Sequence, residues 1–165
     1  MAYGSVRARD LIKNPLSMMA CGFGAGLVPV APGTAGTAVG AGWYLLLERL
    51  PITWYLGIVT FLFCLGIGLT GAASRQLGVH DHPAIVWDEI VGFLITMAGV
   101  PWNPGSFILG FVLFRILDIT KPWPIQYIDR RVEGGLGIML DDLLAGIYAW
   151  ALLQFITSGL KIIDG

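Results

Sequence analysis

The residues of this chain that could do chemistry are acids placed where acids are costly. Asp88-Glu89, Asp118 and Asp141-Asp142 interrupt segments otherwise apolar enough to sit in a membrane. His80-Asp81-His82, Arg115 and Lys121 lie beside them in the sequence. An ionised carboxylate in hydrocarbon is normally paired, metal-bound or turned toward a wet cavity. Five carboxylates beside two histidines and a lysine exceed what ion pairing alone requires. They suit a hard divalent cation such as magnesium, which takes carboxylate oxygens and keeps several waters. The chemistry they point to is a metal-dependent site for a phosphorylated substrate at a membrane surface.

Each group also has a plainer explanation. Asp88-Glu89 and Asp141-Asp142 fall near expected helix starts, where acids simply answer the positive end of the helix dipole. That explanation does not serve Asp118, which falls near a helix end. Arg115, Asp118 and Lys121 are spaced by three along one helix face. They could be a self-neutralising ladder, or Asp118 could bind metal while Arg115 or Lys121 grips phosphate oxygens. His80 or His82 could protonate a leaving alkoxide, or be structural. In Pro32-Gly33-Thr34-Ala-Gly36-Thr37, glycines could let backbone N–H groups meet an anion at a helix start, with Gly33 and Thr34 nearest the phosphate. Close helix packing explains the same glycines. Gly92 follows Asp88 by four residues and Gly146 follows Asp142 by four; each would let a neighbouring helix approach beside a carboxylate.

The elements that must position these groups are apolar helices. Residues 35–50, 52–74, 84–100, 106–120 and 138–160 read as helices, and 52–74 carries no charge over 23 positions, enough to cross the hydrocarbon. Residues 15–31 read as helical, then irregular through Pro29–Thr34, and 121–137 as a polar connection. Residues 1–13 read as a polar, basic arm ahead of a core over about 14–160, the whole chain (1–165) forming one domain. The expected fold is all-α: a polytopic membrane bundle of about four to five apolar helices plus short interfacial or re-entrant segments.

Topology provides an independent check. Arg7, Arg9 and Lys13, and then Lys121, Arg130 and Arg131, favour the cytoplasmic side under the positive-inside bias. Every acidic group then falls at the cytoplasmic end of its helix, with 29–34 and 75–83 on the same side. Only Lys161 disagrees. Trp87 and Trp123 could mark the interfacial level.

Hydrophobic residues make up 56% of the 165-residue chain and charged ones 13%, against about a quarter charged in ordinary soluble domains. The net charge of −1 gives no basic surface for nucleic acid. Cys21 and Cys64 share no metal or disulfide spacing. No cysteine-phosphatase, haloacid-dehalogenase or serine-hydrolase motif is present, which leaves carboxylate–metal chemistry with an activated water.

Four ordered motifs carry a family resemblance: Gly22-Phe-Gly-x-Gly-Leu-x-Pro-x-x-Pro-Gly-Thr34, His80-Asp-His-Pro-x-Ile-Val-Trp-Asp-Glu-Ile-x-Gly92, Phe114-Arg-Ile-Leu-Asp-Ile-x-Lys-Pro-Trp-Pro-Ile125 and Gly135-x-Gly-Ile-Met-x-Asp-Asp-x-x-Ala-Gly146. Over about residues 14–150 the chain resembles bacterial phosphatidylglycerophosphatase A. The resemblance implies an all-α fold and magnesium-dependent hydrolysis of phosphatidylglycerol phosphate at the inner membrane. Its motif positions fall on His80, Asp81, His82, Asp88, Glu89, Arg115, Asp118, Lys121, Asp141 and Asp142. The resulting expectation is a multi-pass phosphomonoesterase with its site on the cytoplasmic side. Asp88, Glu89, Asp118, Asp141 and Asp142 would supply metal ligands and the base. A small cation- or proton-coupled transporter using the same acids as a relay, or a non-catalytic subunit, are the alternatives.

Overall fold

The computed structural model describes residues 14–163, all helix, turn and loop with no strand among them. The basic arm expected over 1–13 lies outside the described residues. Seven α-helices follow in order: α1 (Pro15–Ala20), α2 (Pro32–Leu47), α3 (Ile52–Leu77), α4 (Trp87–Thr96), α5 (Pro104–Thr120), α6 (Ile125–Arg131) and α7 (Gly134–Ile163), with a 3-10 segment (Gly22–Leu27) after α1. Local sequence sets several boundaries. The Asn14 side chain accepts the Leu16 N–H ahead of Pro15, and Asn103 accepts those of Gly105 and Ser106 ahead of Pro104. Both follow the preference for a capping Asn and a proline in the first turn. Gly78, in the left-handed region, closes α3.

The centre of the bundle is α4. Trp87, Ile90, Val91, Phe93 and Leu94 are all essentially inaccessible, enclosed by α2, α3 and α7, with α5 packed on α7. At ten residues it is about 15 Å long, roughly half the thickness of a bilayer's hydrocarbon. The span expected over 84–100 is therefore a short enclosed helix. The chain turns after it at Gly99, in the left-handed region and two residues before Pro101, and side chains from its neighbours take carbonyls in and beyond its last turn. Tyr55 Oη donates to Leu94 O at 2.6 Å, Trp150 Nε1 to Ala98 O at 2.9 Å and Tyr44 Oη to Val100 O at 3.1 Å, which satisfies the acceptors a helix end leaves open.

Among the described residues two helices, α3 and the Gly134–Gly159 part of α7, are long and apolar enough to cross a membrane; α2 and α5, at 16 and 17 residues, are shorter. The exterior is also apolar: Leu46, Trp54, Phe61, Ile108, Ile119 and Phe155 are exposed on α2, α3, α5 and α7. Trp123 lies 82% exposed, whereas Trp87 is buried and donates Nε1 to Leu62 O. Trp87 is thus a core residue, and the interfacial role expected for it does not hold. Two boundaries also move. The connection 121–137 contains α6, and α7 begins at Gly134 instead of 138.

Candidate active site

The first turn of α2, the loop before α4, the first turn of α4, the last turn of α5, α6 and the first three turns of α7 gather at one end of the bundle. The acids meet there in two adjoining sets. In the first, Asp88 and Glu89 of α4 and Asp142 of α7 each bring a carboxylate oxygen within 4.8 Å of the others. Asp88 is 6% exposed and Asp142 2%. Asp88 Oδ1, Glu89 Oε2 and Asp142 Oδ2 are buried without a hydrogen-bond partner among the described residues. Arg115 closes this set from α5. It pairs closely with Asp118 one turn on and stands 3.8 Å from Glu89. The same Arg115 nitrogen thus lies between Asp118 and Glu89.

The second set is Asp81, Asp129 and Asp141, and Lys121 sits among them. Its ammonium is 2.5 Å from Asp141 Oδ2, 2.7 Å from Asp129 Oδ1 and 3.9 Å from Asp81 Oδ2. Burial alone would lower the Lys121 pKa, but Asp141, Asp129 and Asp81 more than offset it, so the ammonium is held above the ordinary lysine range. Lys121 itself is a non-glycine residue in the left-handed region at the end of α5 (φ 40°, ψ 61°), a costly conformation of the kind that persists at functional sites.

Helix geometry explains the division. Adjacent residues of a helix point about 100° apart, so Asp141 and Asp142 turn into different sets. They also lie in the third turn of α7, beyond the reach of its N-terminal dipole, which removes that explanation for their presence. Two glycines bring α7 against α4. A Cβ on Gly146 would stand 2.5 Å from Gly92 O, and one on Gly92 3.0 Å from Asp142 O. The helices touch backbone to backbone one turn from Asp88 and Asp142, as the four-residue spacings predict.

Gly33 has a parallel role. A Cβ there would overlap Glu89 Oε1 and stand 2.9 Å from both terminal nitrogens of Arg115, so any side chain at 33 would have to push this pair out of its present place. Thr34 and Ala35 both donate their N–H groups to Ala31 O, and Pro32 has none. That leaves Gly33 as the first-turn donor with no partner among the described residues; Thr34, half-buried, turns its N–H back into the helix. The Nε of Arg115 is buried and without a partner as well. These donors sit beside the first acid set and suit an anion.

The two histidines separate. His80 Nδ1 accepts the Gly134 N–H at 3.3 Å, which ties it to the start of α7 and leaves Nε2 as the ring's donor. His82 Nδ1 accepts the Ala84 N–H at 3.1 Å within its own turn. Asp129 is a member the sequence reading did not single out. It lies in the polar connection expected over 121–137, although Ile125 and Ile128 show the three-residue apolar spacing of a short helix after Lys121-Pro-Trp-Pro124.

Seven carboxylates here (Asp81, Asp88, Glu89, Asp118, Asp129, Asp141, Asp142) face two fixed cations, Arg115 and Lys121. Uncompensated buried charge is strongly destabilising, and partnerless carboxylate oxygens are what a hard cation binds. The first set therefore fits a divalent ion, whereas the second already surrounds an ammonium.

Comparison with known proteins agrees with the motifs. The family model for phosphatidylglycerophosphatase A matches residues 18–157. The chain is 43% identical over 151 residues to a phosphatidylglycerophosphatase A of Escherichia coli, covering 91% of this chain and 88% of that one. It is 46% identical over 141 residues to one from Haemophilus influenzae, covering 82% and 85%. It is also 36% identical over 144 residues to a protein of Bacteroides thetaiotaomicron named as a putative phosphatidylinositol-3-phosphatase, covering 82% and 89%. No solved structure matches significantly.

Proposed function

This chain belongs to the phosphatidylglycerophosphatase A family, and on that premise we propose that it hydrolyses the phosphomonoester of phosphatidylglycerol phosphate to phosphatidylglycerol and inorganic phosphate. It is a phosphoric monoester hydrolase acting on a lipid, in phospholipid biosynthesis. The observation that carries the site assignment is the first acid set: three carboxylates on two helices, converging, buried and with partnerless oxygens.

Magnesium is the cofactor this set fits, with Asp88, Glu89 and Asp142 holding it and Asp118 beside them. Bound there, the ion would lower the pKa of a coordinated water and offset charge on the phosphoryl oxygens. The protein groups divide the remaining work. Arg115, through its unpartnered Nε, and the Gly33 N–H bind phosphate oxygens. A carboxylate of the set takes the proton of the attacking water as its oxygen bonds to phosphorus. The bond from phosphorus to the glycerol oxygen breaks, and that oxygen takes a proton, a role we assign to His80, which shares a cavity wall with Asp129 of the adjoining set. Lys121 holds Asp129 and Asp141 in place and lends positive charge to the site.

The apolar exterior and the two long apolar helices support a multi-pass position in the bacterial inner membrane. The positive-inside bias of the 121–137 segment supports a cytoplasmic site. Acids gathered at one end of the bundle suit a headgroup at the interface better than a midplane ion relay. The test is phosphate release from phosphatidylglycerol phosphate by purified protein in detergent. We expect release with magnesium, and loss of it with chelator or with Asp88→Asn. Release unaffected by chelator would remove the metal from the mechanism.

A further inference from the structure

A cavity opens beside the second acid set. It has a volume of about 460 Å³ and lies between the end of α3, the loop after it, α6 and the start of α7. Its wall includes His80 and Asp129, the latter bonded to Lys121, so it adjoins the second acid set. Arg75 and Arg130 line it from opposite elements, α3 and α6, together with Ser74 and the acid Glu133. Both guanidinium groups are exposed, and among the described residues neither makes an ion pair, in contrast to Arg115 and Lys121.

The site is strongly acidic, yet the lipid it would take carries two anions: the phosphomonoester that is cleaved and the phosphodiester that joins glycerol to the diacylglycerol. The cations nearest the first acid set are already engaged by carboxylates. A second anion one glycerol away requires its own positive partners, and planar guanidinium groups match phosphate geometry. Resting on the phosphatase reading above, we propose that Arg75 and Arg130 bind the phosphodiester of the substrate lipid, and so select lipids with two phosphates over simple lipid phosphomonoesters.

The test compares kcat/KM for phosphatidylglycerol phosphate with that for phosphatidate, a lipid monoester lacking the phosphodiester, in the same detergent and magnesium. Arg75→Gln and Arg130→Gln are each expected to lower this ratio about tenfold, the size of one charge-assisted contact, through KM for the two-phosphate lipid. Arg130→Lys should restore part of the ratio. A ratio unchanged in both glutamine variants, or losses equal for the two lipids, would overturn the proposal. Arg130 is on the surface of α6, so its variants give the answer even if Arg75→Gln does not fold. Wild-type protein that releases phosphate from neither lipid would instead refute the phosphatase reading itself.

Discussion

Replacing Gly146 with alanine puts a methyl group where α4 already is. The new Cβ would stand 2.5 Å from Gly92 O and 3.2 Å from Ile95 Cβ. The first neighbour is backbone and cannot rotate away. Ordinary contact begins near 3.4 Å, so α4 and α7 must separate by about 0.9 Å. Asp142 lies four residues before Gly146, about 6 Å along the helix, and faces Asp88 and Glu89 across this crossing. The separation therefore passes into the spacing of the first acid set. Overpacking of this kind costs about 1–3 kcal/mol, and a misplacement near 1 Å can cost about 10²-fold in rate. Gly42→Ala is the control: its Cβ meets nothing within 4 Å, and alanine favours a helix by about 0.5–1 kcal/mol. Phosphate release and thermal unfolding, measured side by side in detergent with magnesium, give the answer. Gly146→Ala should lose most activity and unfold earlier, while Gly42→Ala should keep both. Full activity and an unchanged midpoint in Gly146→Ala would show that this crossing does not set the acid geometry.

Two further predictions concern the site itself. Asp88→Asn abolishes phosphate release, yet in chelator its thermal midpoint equals or exceeds that of wild type, since one buried like charge is removed from a set with no ion; a clearly lower midpoint would mean that Asp88 serves the fold. His80→Ala lowers kcat by at least tenfold more than His82→Ala, because His80 reaches the start of α7 while His82 bonds only within its own turn. Equal effects would return the two histidines to equal standing.

Much of the site was legible because charge is scarce in this chain. An acid in an apolar segment is conspicuous, and Asp88, Glu89, Asp118, Asp141 and Asp142 do come together at one end of the bundle. The Gly92 and Gly146 spacings were legible for a related reason, since a four-residue step fixes a common helix face. What failed to show depends on long-range contact. The carbonyls in and beyond the last turn of α4 are taken by Tyr55, Trp150 and Tyr44, which arrive from three other helices, and nothing within 84–100 announces those contacts. Gly135 and Gly137 read as loop residues, but the space for their Cβ atoms is taken by Ile67 O and Val132 O; they are packing residues inside α7. Trp87 carried the composition of an interfacial residue, and only the enclosure of α4 makes it core. No periodicity could tell that the five acids divide, with Asp141 joining Asp81 and Asp129 around Lys121.

That division fixes how many ions the site should hold. Asp81, Asp129 and Asp141 have the spacing of a metal site, but the Lys121 ammonium lies within 2.5–3.9 Å of all three and stands where a second cation would. Wild-type protein should therefore bind one divalent ion per chain, at Asp88, Glu89 and Asp142. Lys121→Met removes the internal cation and leaves three carboxylates facing one another. The cost should fall below the roughly 3–5 kcal/mol of a fully buried broken pair, because the Lys121 side chain is 23% exposed. Divalent ions should recover part of that loss by entering the vacated place, stabilising the variant as any ligand of the folded state does. Titration with manganese, followed by calorimetry, should give one site in wild type and two in Lys121→Met, with the variant's midpoint rising more steeply with ion concentration. Two sites in the wild-type protein would show that Lys121 leaves the second set when metal arrives, and that the ammonium is a placeholder rather than a permanent member.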